Sequence, residues 1–219
     1  MTHEEVAQFL SQHPDFFDHH PEVLLNVAIP HPQDGHAVSL VERQSLILRE
    51  RIRSLELRLA EMLRHGEEND AIADRIVLWA RALLAQTDPA QLPRTLLDEL
   101  LRQFNVPLGA LRLWGVAAEY AGFDWAQPSG DDIVRLASSM QAPFCGSNVG
   151  FEAATWMAND PAAVRSLAMI PLRVGGDPKA FGLLALGSPD PARFQITMGT
   201  AFLSRIAELA SAALARLRA

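Results

Sequence analysis

The stretch that decides the fold is SLAMIPLRVGGDPKAFGLLALGS, residues 166–188. Ser166 to Val174 reads as a strand, and Gly175-Gly176-Asp177-Pro178 reads as a turn. Phe181 to Leu186 returns in hairpin register, closed by Ser188-Pro189-Asp190. Near-continuous apolar runs on either side of a Gly/Asp/Pro cluster are the signature of paired, buried strands. A helix should follow from about Ile196 to Leu217, with Phe202, Ile206, Leu209, Ala213 and Leu217 on one face.

Working upstream, Leu108 to Trp114 is a further strand candidate. Its side chains alternate, Leu111 and Leu113 against Ala110, Arg112 and Trp114. Asn105 ends a helix carrying Leu92, Leu96, Leu100 and Phe104, whose start is expected at Asp88 as cap with Pro89 at the first position. Asp131 to Met140 reads as a short helix, and the Gly-rich Pro143 to Trp156 as a segment with a short strand or two. Ile72, Ile76, Trp79, Ala80 and Leu83 share one helical face.

The N-terminal third follows another pattern. Thr2 and Glu5 have capping-box spacing before a helix with Val6, Phe9 and Leu10. His13-Pro14 and His20-Pro21 punctuate residues 1–35, which read as two or three short helices; Ile29-Pro30-His31-Pro32 ends the last, and Gln33-Asp34-Gly35 reads as a turn. Val41, Ser45, Leu48, Ile52, Leu55, Leu59 and Met62 then recur at alternating spacings of 4 and 3. That is a heptad seam, in which Arg51 at g would face Glu56 at e of a parallel partner. The spacing predicts a homodimer interface on Val41, Leu48, Ile52, Leu55, Leu59 and Met62. The alternative is that the stripe packs on its own chain. His65-Gly66 is expected to interrupt this helix. The domain boundary is accordingly placed between 1–66, short helices plus the heptad helix, and 67–219.

Two resemblances add to this reading. The last 55 residues resemble the GAF family of sensor domains: Pro171-Leu172 at a strand end, a Gly-rich turn, Gly182 opening the next strand, then Ser188, Phe194 and Phe202-Leu203. The resemblance implies an α+β fold, a central antiparallel sheet flanked by helices. His13-Pro14-Asp15-Phe16-Phe17, His20-Pro21-Glu22, Ile29-Pro30-His31 and Val38-Ser39-Leu40-Val41-Glu42-Arg43-Gln44 are similar to the bacterial domain-of-unknown-function family four-eight-four. That family implies a GAF-like architecture and no assigned activity. The Asn-Lys-x-x-x-Phe signature of cyclic-nucleotide-binding GAF domains is missing, since Lys179 is the sole lysine. The histidine that neighbours the tetrapyrrole cysteine of phytochromes is missing beside Cys145.

Composition narrows the function classes. Net charge of −7 argues against nonspecific nucleic-acid binding. One cysteine precludes an intrachain disulfide and fits a cytoplasmic protein, and no apolar run approaches the roughly 20 residues of a membrane span. His13, His19, His20, His31 and His36 lack metal-ligand spacing, and no metal site is expected. No G-x-S-x-G, P-loop or Ser/His/Asp context is present, so an enzyme is not expected. The cofactor is left unassigned. A ligand cavity, if present, is expected on the sheet face opposite the packed helices. Arg112 and Trp114 would line it, and Trp125, Arg135, Phe144, Phe151 and Trp156 would roof it. That set suits a planar anionic small molecule, while the alternative is that these side chains fill the space as core. Two functions follow: a non-catalytic sensory or regulatory module dimerised through the coil, or an interaction scaffold with a filled pocket, docking a protein partner on its N-terminal helices.

Overall fold

The computed structural model describes residues 2–26, 28–30, 37–195 and 200–219, with side chains described outside 24–42. The chain divides into two compact units, Met1–Glu68 and Asn69–Ala219.

In the first unit, helix α1 (His3–Gln12) opens on a complete capping box between Thr2 and Glu5. Two short helices follow, α2 (Phe16–His19) and α3 (Pro21–Asn26). A Phe-x-x-x-His-Pro phrase occurs twice, at 9–14 and 16–21. In each copy the histidine ends a helix, donating its backbone N–H to the carbonyl of the phenylalanine four residues earlier. Its ring lies against that phenylalanine, 4.5 Å from Phe9 for His13 and 4.9 Å from Phe16 for His20. The chain then departs from the all-helical expectation: β1 (Ala28–Pro30) and β2 (Ala37–Ser39) pair antiparallel, with Ile29 opposite Val38. Alternation over three residues is too short a signal to reveal such a ribbon. The turn expected at Gln33-Asp34-Gly35, and His31-Pro32 before it, lie outside the described residues.

Helix α4 (Leu40–Ala85) is continuous, which corrects the break expected at His65-Gly66. A glycine inside a helix costs only about 1 kcal/mol relative to alanine. Around Gly66 the Arg64–Glu68 ion pair (2.6 Å), with the His65 ring 3.4 Å from the same carboxylate, ties successive turns together.

The second unit is built on a four-stranded antiparallel sheet in the order β3-β6-β5-β4: β3 (Leu108–Leu113), β4 (Phe144–Ser147), β5 (Ser166–Leu172) and β6 (Gly182–Ser188). The 166–188 hairpin forms as read, with Leu172 opposite Gly182. Every residue of β5 and β6 is buried, because helices cover both sheet faces. Leu111, Leu113, Ile170, Leu172, Leu184 and Leu186 point to one layer, shared with α5 (Leu92–Phe104), α8 (Ala201–Leu214) and Trp79 and Leu83 of α4. Leu167, Met169, Leu183 and Ala185 point to the other, against Ile133 and Ala137 of α6 (Asp131–Ser139) and Ala153 and Ala154 of α7 (Glu152–Thr155). Small residues on α6 and α7 let those helices lie close to the sheet. The α+β class, a central antiparallel sheet flanked by helices, is as expected.

Gly182 lets β3, β5 and β6 meet. A Cβ there would come 2.5 Å from Leu113 Cδ2 and 2.9 Å from the Arg112 carbonyl. Asn105 ends α5 in the left-handed conformation, φ 49° and ψ 48°. The start of α5 corrects the expectation: it lies at Leu92, one turn after Asp88. Asp88 caps a tight turn instead, accepting from the Ala90 N–H at 2.9 Å. The expected start of the last helix at Ile196 falls outside the described residues; from Ala201 the helix runs to Leu214 and tightens into a 3₁₀ turn over Ala215–Leu217.

Candidate functional site

β3 is an edge strand, so one side of its backbone is free of the sheet ladder. Along that strand runs a cleft of about 350 Å³. Four consecutive residues line it, Gly109, Ala110, Leu111 and Arg112, so it follows the strand's edge rather than either face. Pro93, Arg94, Leu97 and Asp98 of α5 form one wall; Asp124, Trp125 and Trp156 complete it.

Arg112 is the fixed cation of the cleft. It donates through Nη1 to the Asp124 carbonyl at 3.1 Å, and its guanidinium carbon lies 5.6 Å from the Trp156 ring centroid. An arginine held by a backbone carbonyl and an indole keeps other N–H groups available, at reduced conformational entropy. Arg94 is the second cation, paired loosely with Asp98 at 3.7 Å. Trp125 sits buried on the 3₁₀ turn Asp124–Ala126, stacked on Phe123 at 5.3 Å and tilted toward Tyr120 at 6.0 Å. Gly109 permits the wall to close: a Cβ on it would lie 2.7 Å from Leu101 Cδ2 and 3.1 Å from Leu97 Cδ1.

Of the seven expected ligand residues, the structure brings Arg112, Trp125 and Trp156 together at this cleft. Trp114, Phe144 and Phe151 lie in the layer under α6 and α7. There Trp114 donates Nε1–H to the Ala180 carbonyl, and the Phe144 and Phe151 rings meet edge-on at 5.6 Å. Arg135 is exposed on α6, 4.0 Å from Asp132. The face expected to carry the cavity is thus filled by α6 and α7, and the opening lies on the flank. Sequence reading missed Arg94, Leu97, Asp98 and Gly109. Their only sequence signal was the i, i+4 spacing of Arg94 and Asp98 and a glycine inside a strand.

Cys145 is buried in β4, and burial pushes its thiol pKa up, which disfavours the thiolate. Among the described residues no group of three His, Cys, Asp or Glu side chains is placed to hold a metal ion. No described helix is long and apolar enough to cross a membrane.

On α4, the expected interface residues Leu48, Ile52, Leu55, Leu59 and Met62 are all exposed, from 54% at Ile52 to 71% at Met62. The side chain of Val41 lies outside the described residues.

Comparison with known proteins places the chain in a family. It belongs to the family described as "Protein of unknown function, DUF484", which matches residues 1–218. The chain is similar to the uncharacterized protein YigA of Salmonella typhimurium, 24% identical over 212 residues that make up 92% of this chain and 86% of that one. YigA of Escherichia coli is 26% identical over 214 residues, with the same 92% and 86% coverage. Among solved structures, a GAF domain from Pseudomonas syringae pv. tomato superposes with a TM-score of 0.45 at 17% identity, covering 70% of this chain and 91% of that one. The GAF domain of nlh2 from A. aeolicus, in an inactive state, gives 0.39 at 13% identity, covering 66% and 91%.

Proposed function

We propose that this member of the family is a non-catalytic sensory or regulatory module that binds a planar anionic small molecule in the cleft beside β3. In this reading residues 67–219 sense the ligand and residues 1–66 dimerise the chain. The observation that carries the reading is Arg112, held between the Asp124 carbonyl and the Trp156 ring at the cleft of about 350 Å³. That volume lies in the ordinary range of small-molecule sites, roughly 300–1,000 Å³. A guanidinium offers bidentate N–H donors to a carboxylate or phosphate, and Trp125 and Trp156 offer flat apolar surface.

The dimer is supported by the exposed apolar seam of α4. Leu48, Ile52, Leu55, Leu59 and Met62 recur at 4-3-4-3 spacing on that helix, and an uncovered stripe of this kind is the usual substrate of a two-stranded coil. A parallel pairing sets Arg51 against Glu56 of the second copy. The reading is of a protein working in the bacterial cytoplasm.

One observation favours a second reading, a scaffold that captures a protein partner. Helix α1 buries none of its residues, and Val6 and Phe9 are exposed. An amphipathic helix of that kind suits a groove on another protein.

Native mass spectrometry of the full chain, purified gently from a bacterial host, tests both. A dimer mass carrying a small-molecule increment supports the sensor reading and weighs the ligand. A dimer without adduct favours the scaffold. A monomer overturns the coil.

A further inference from the structure

A second cavity, of about 240 Å³, shares no residue with the cleft beside β3. Its floor is Leu100, Val106, Leu186, Phe194, Leu203 and Ile206, all buried, drawn from α5, β6, α8 and the segments between them. The space equals roughly eight water volumes, yet its floor offers water almost no polar partner. An apolar ligand is the better occupant of such a space.

Two cations join this apolar lining, and no acidic residue does among the described residues. Arg193 is anchored where α5 ends, donating through Nη2 to the Phe104 carbonyl at 2.8 Å and reaching the Asn105 carbonyl at 3.5 Å. Its remaining guanidinium N–H groups have no acceptor among the described residues. Arg75 of α4 is exposed and makes no hydrogen bond or ion pair among the described residues. Two guanidiniums beside an aliphatic and phenylalanine floor are complementary to a molecule with an apolar tail and an anionic head.

We infer that this cavity binds a medium-length acyl chain carboxylate. The chain lies over Leu100, Leu186 and Ile206, and the carboxylate meets Arg75 and Arg193. The site is separate from the one in the proposed function and can be lost or kept independently of it.

The test uses the full-length protein, ¹³C-labelled on Ile, Leu and Val methyls, titrated with decanoate below its micelle-forming concentration and, separately, with decanol. Saturable shifts at Leu100, Leu186, Leu203 and Ile206 with decanoate are expected. Decanol should bind about tenfold more weakly, and Arg75→Gln, an exposed change that spares the fold, should weaken decanoate by about the same factor, one charge-assisted hydrogen bond being worth that much. Absence of saturation overturns the inference. So do shifts confined to Leu97 and Leu111 at the other cleft, equal affinity for decanol, or an unaltered decanoate affinity in the Arg75 variant.

Discussion

The guanidinium of Arg112 and the indole of Trp156 form a cation–π pair, 5.6 Å from carbon to ring centroid, although 44 positions separate them in the chain. The pair joins the edge strand to the residue that ends α7. It places a positive charge and a flat apolar surface side by side at the cleft.

Substitution of either member should separate binding from folding. Arg112→Lys keeps the charge but loses the planar fork and the stacking. It is expected to abolish any small-molecule adduct that native mass spectrometry finds on the wild-type chain, while changing stability by under about 1 kcal/mol. Trp156→Ala removes a half-buried indole and should also cost about 2 kcal/mol, less than a fully buried tryptophan. An adduct retained in both variants would remove the ligand from this cleft.

Two glycines should respond oppositely to alanine. Gly182→Ala drives a Cβ to 2.5 Å from Leu113 Cδ2 and 2.9 Å from the Arg112 carbonyl, where backbone cannot yield. Urea unfolding should show a loss of about 1–3 kcal/mol. Gly66→Ala meets nothing within 4 Å in the middle of α4 and should raise helix stability by about 0.5–1 kcal/mol. A neutral Gly182→Ala would mean the strands can part there at no cost.

Polar substitution on the seam should change mass in solution and leave the sheet intact. Ile52→Glu with Leu55→Glu puts charges at two adjacent seam positions, both exposed within the chain. Sedimentation equilibrium is expected to move from dimer to monomer, and the near-ultraviolet circular dichroism of Trp79 and Trp125 should persist. A wild-type chain that sediments as a monomer would defeat this prediction at once.

Stability should fall at alkaline pH through Cys145. Burial raises its folded-state pKa above that of the unfolded chain. Between the two values the native state therefore binds more protons than the unfolded state, so unfolding free energy declines as pH rises. The contribution is complete below roughly pH 8.5, the unfolded thiol's value, and is lost above it. Unfolding measured in urea from pH 7 to 10 should show the decline, and Cys145→Ala should flatten it. The native thiol should also react with a disulfide reagent far more slowly than the urea-unfolded one.

Local chemistry was readable wherever one residue decided the outcome. Asn105 terminates α5 because a short amide side chain tolerates the left-handed conformation. The 166–188 hairpin follows from two apolar runs around a Gly-Gly-Asp-Pro turn. Gly66 misled because the long helical runs on both sides, with the Arg64–Glu68 ion pair spanning it, outweigh one glycine. Asp88 misled because its side chain serves a turn as well as it would serve a helix start. The cleft was half legible. Arg112, Trp125 and Trp156 are chemically conspicuous, but which flank they share depends on β3 standing at the edge of the sheet. That placement is a long-range property: Leu111 pairs with Leu184 across 73 positions.

The same pairing orders the birth of the fold. Among the described residues β3 bonds only to β6, and β6 bonds to both β3 and β5. On a ribosome the first strand of the sheet emerges about 70 residues before β6, the strand it pairs with. Until then Leu111 and Leu113 have α5 for cover but no ladder, an exposed edge of the kind that draws nascent chains into aggregates or chaperones. The hairpin of β5 and β6 is the late-made keystone, and conditions that slow its closure should lower the yield of soluble protein before they lower the stability of the finished molecule.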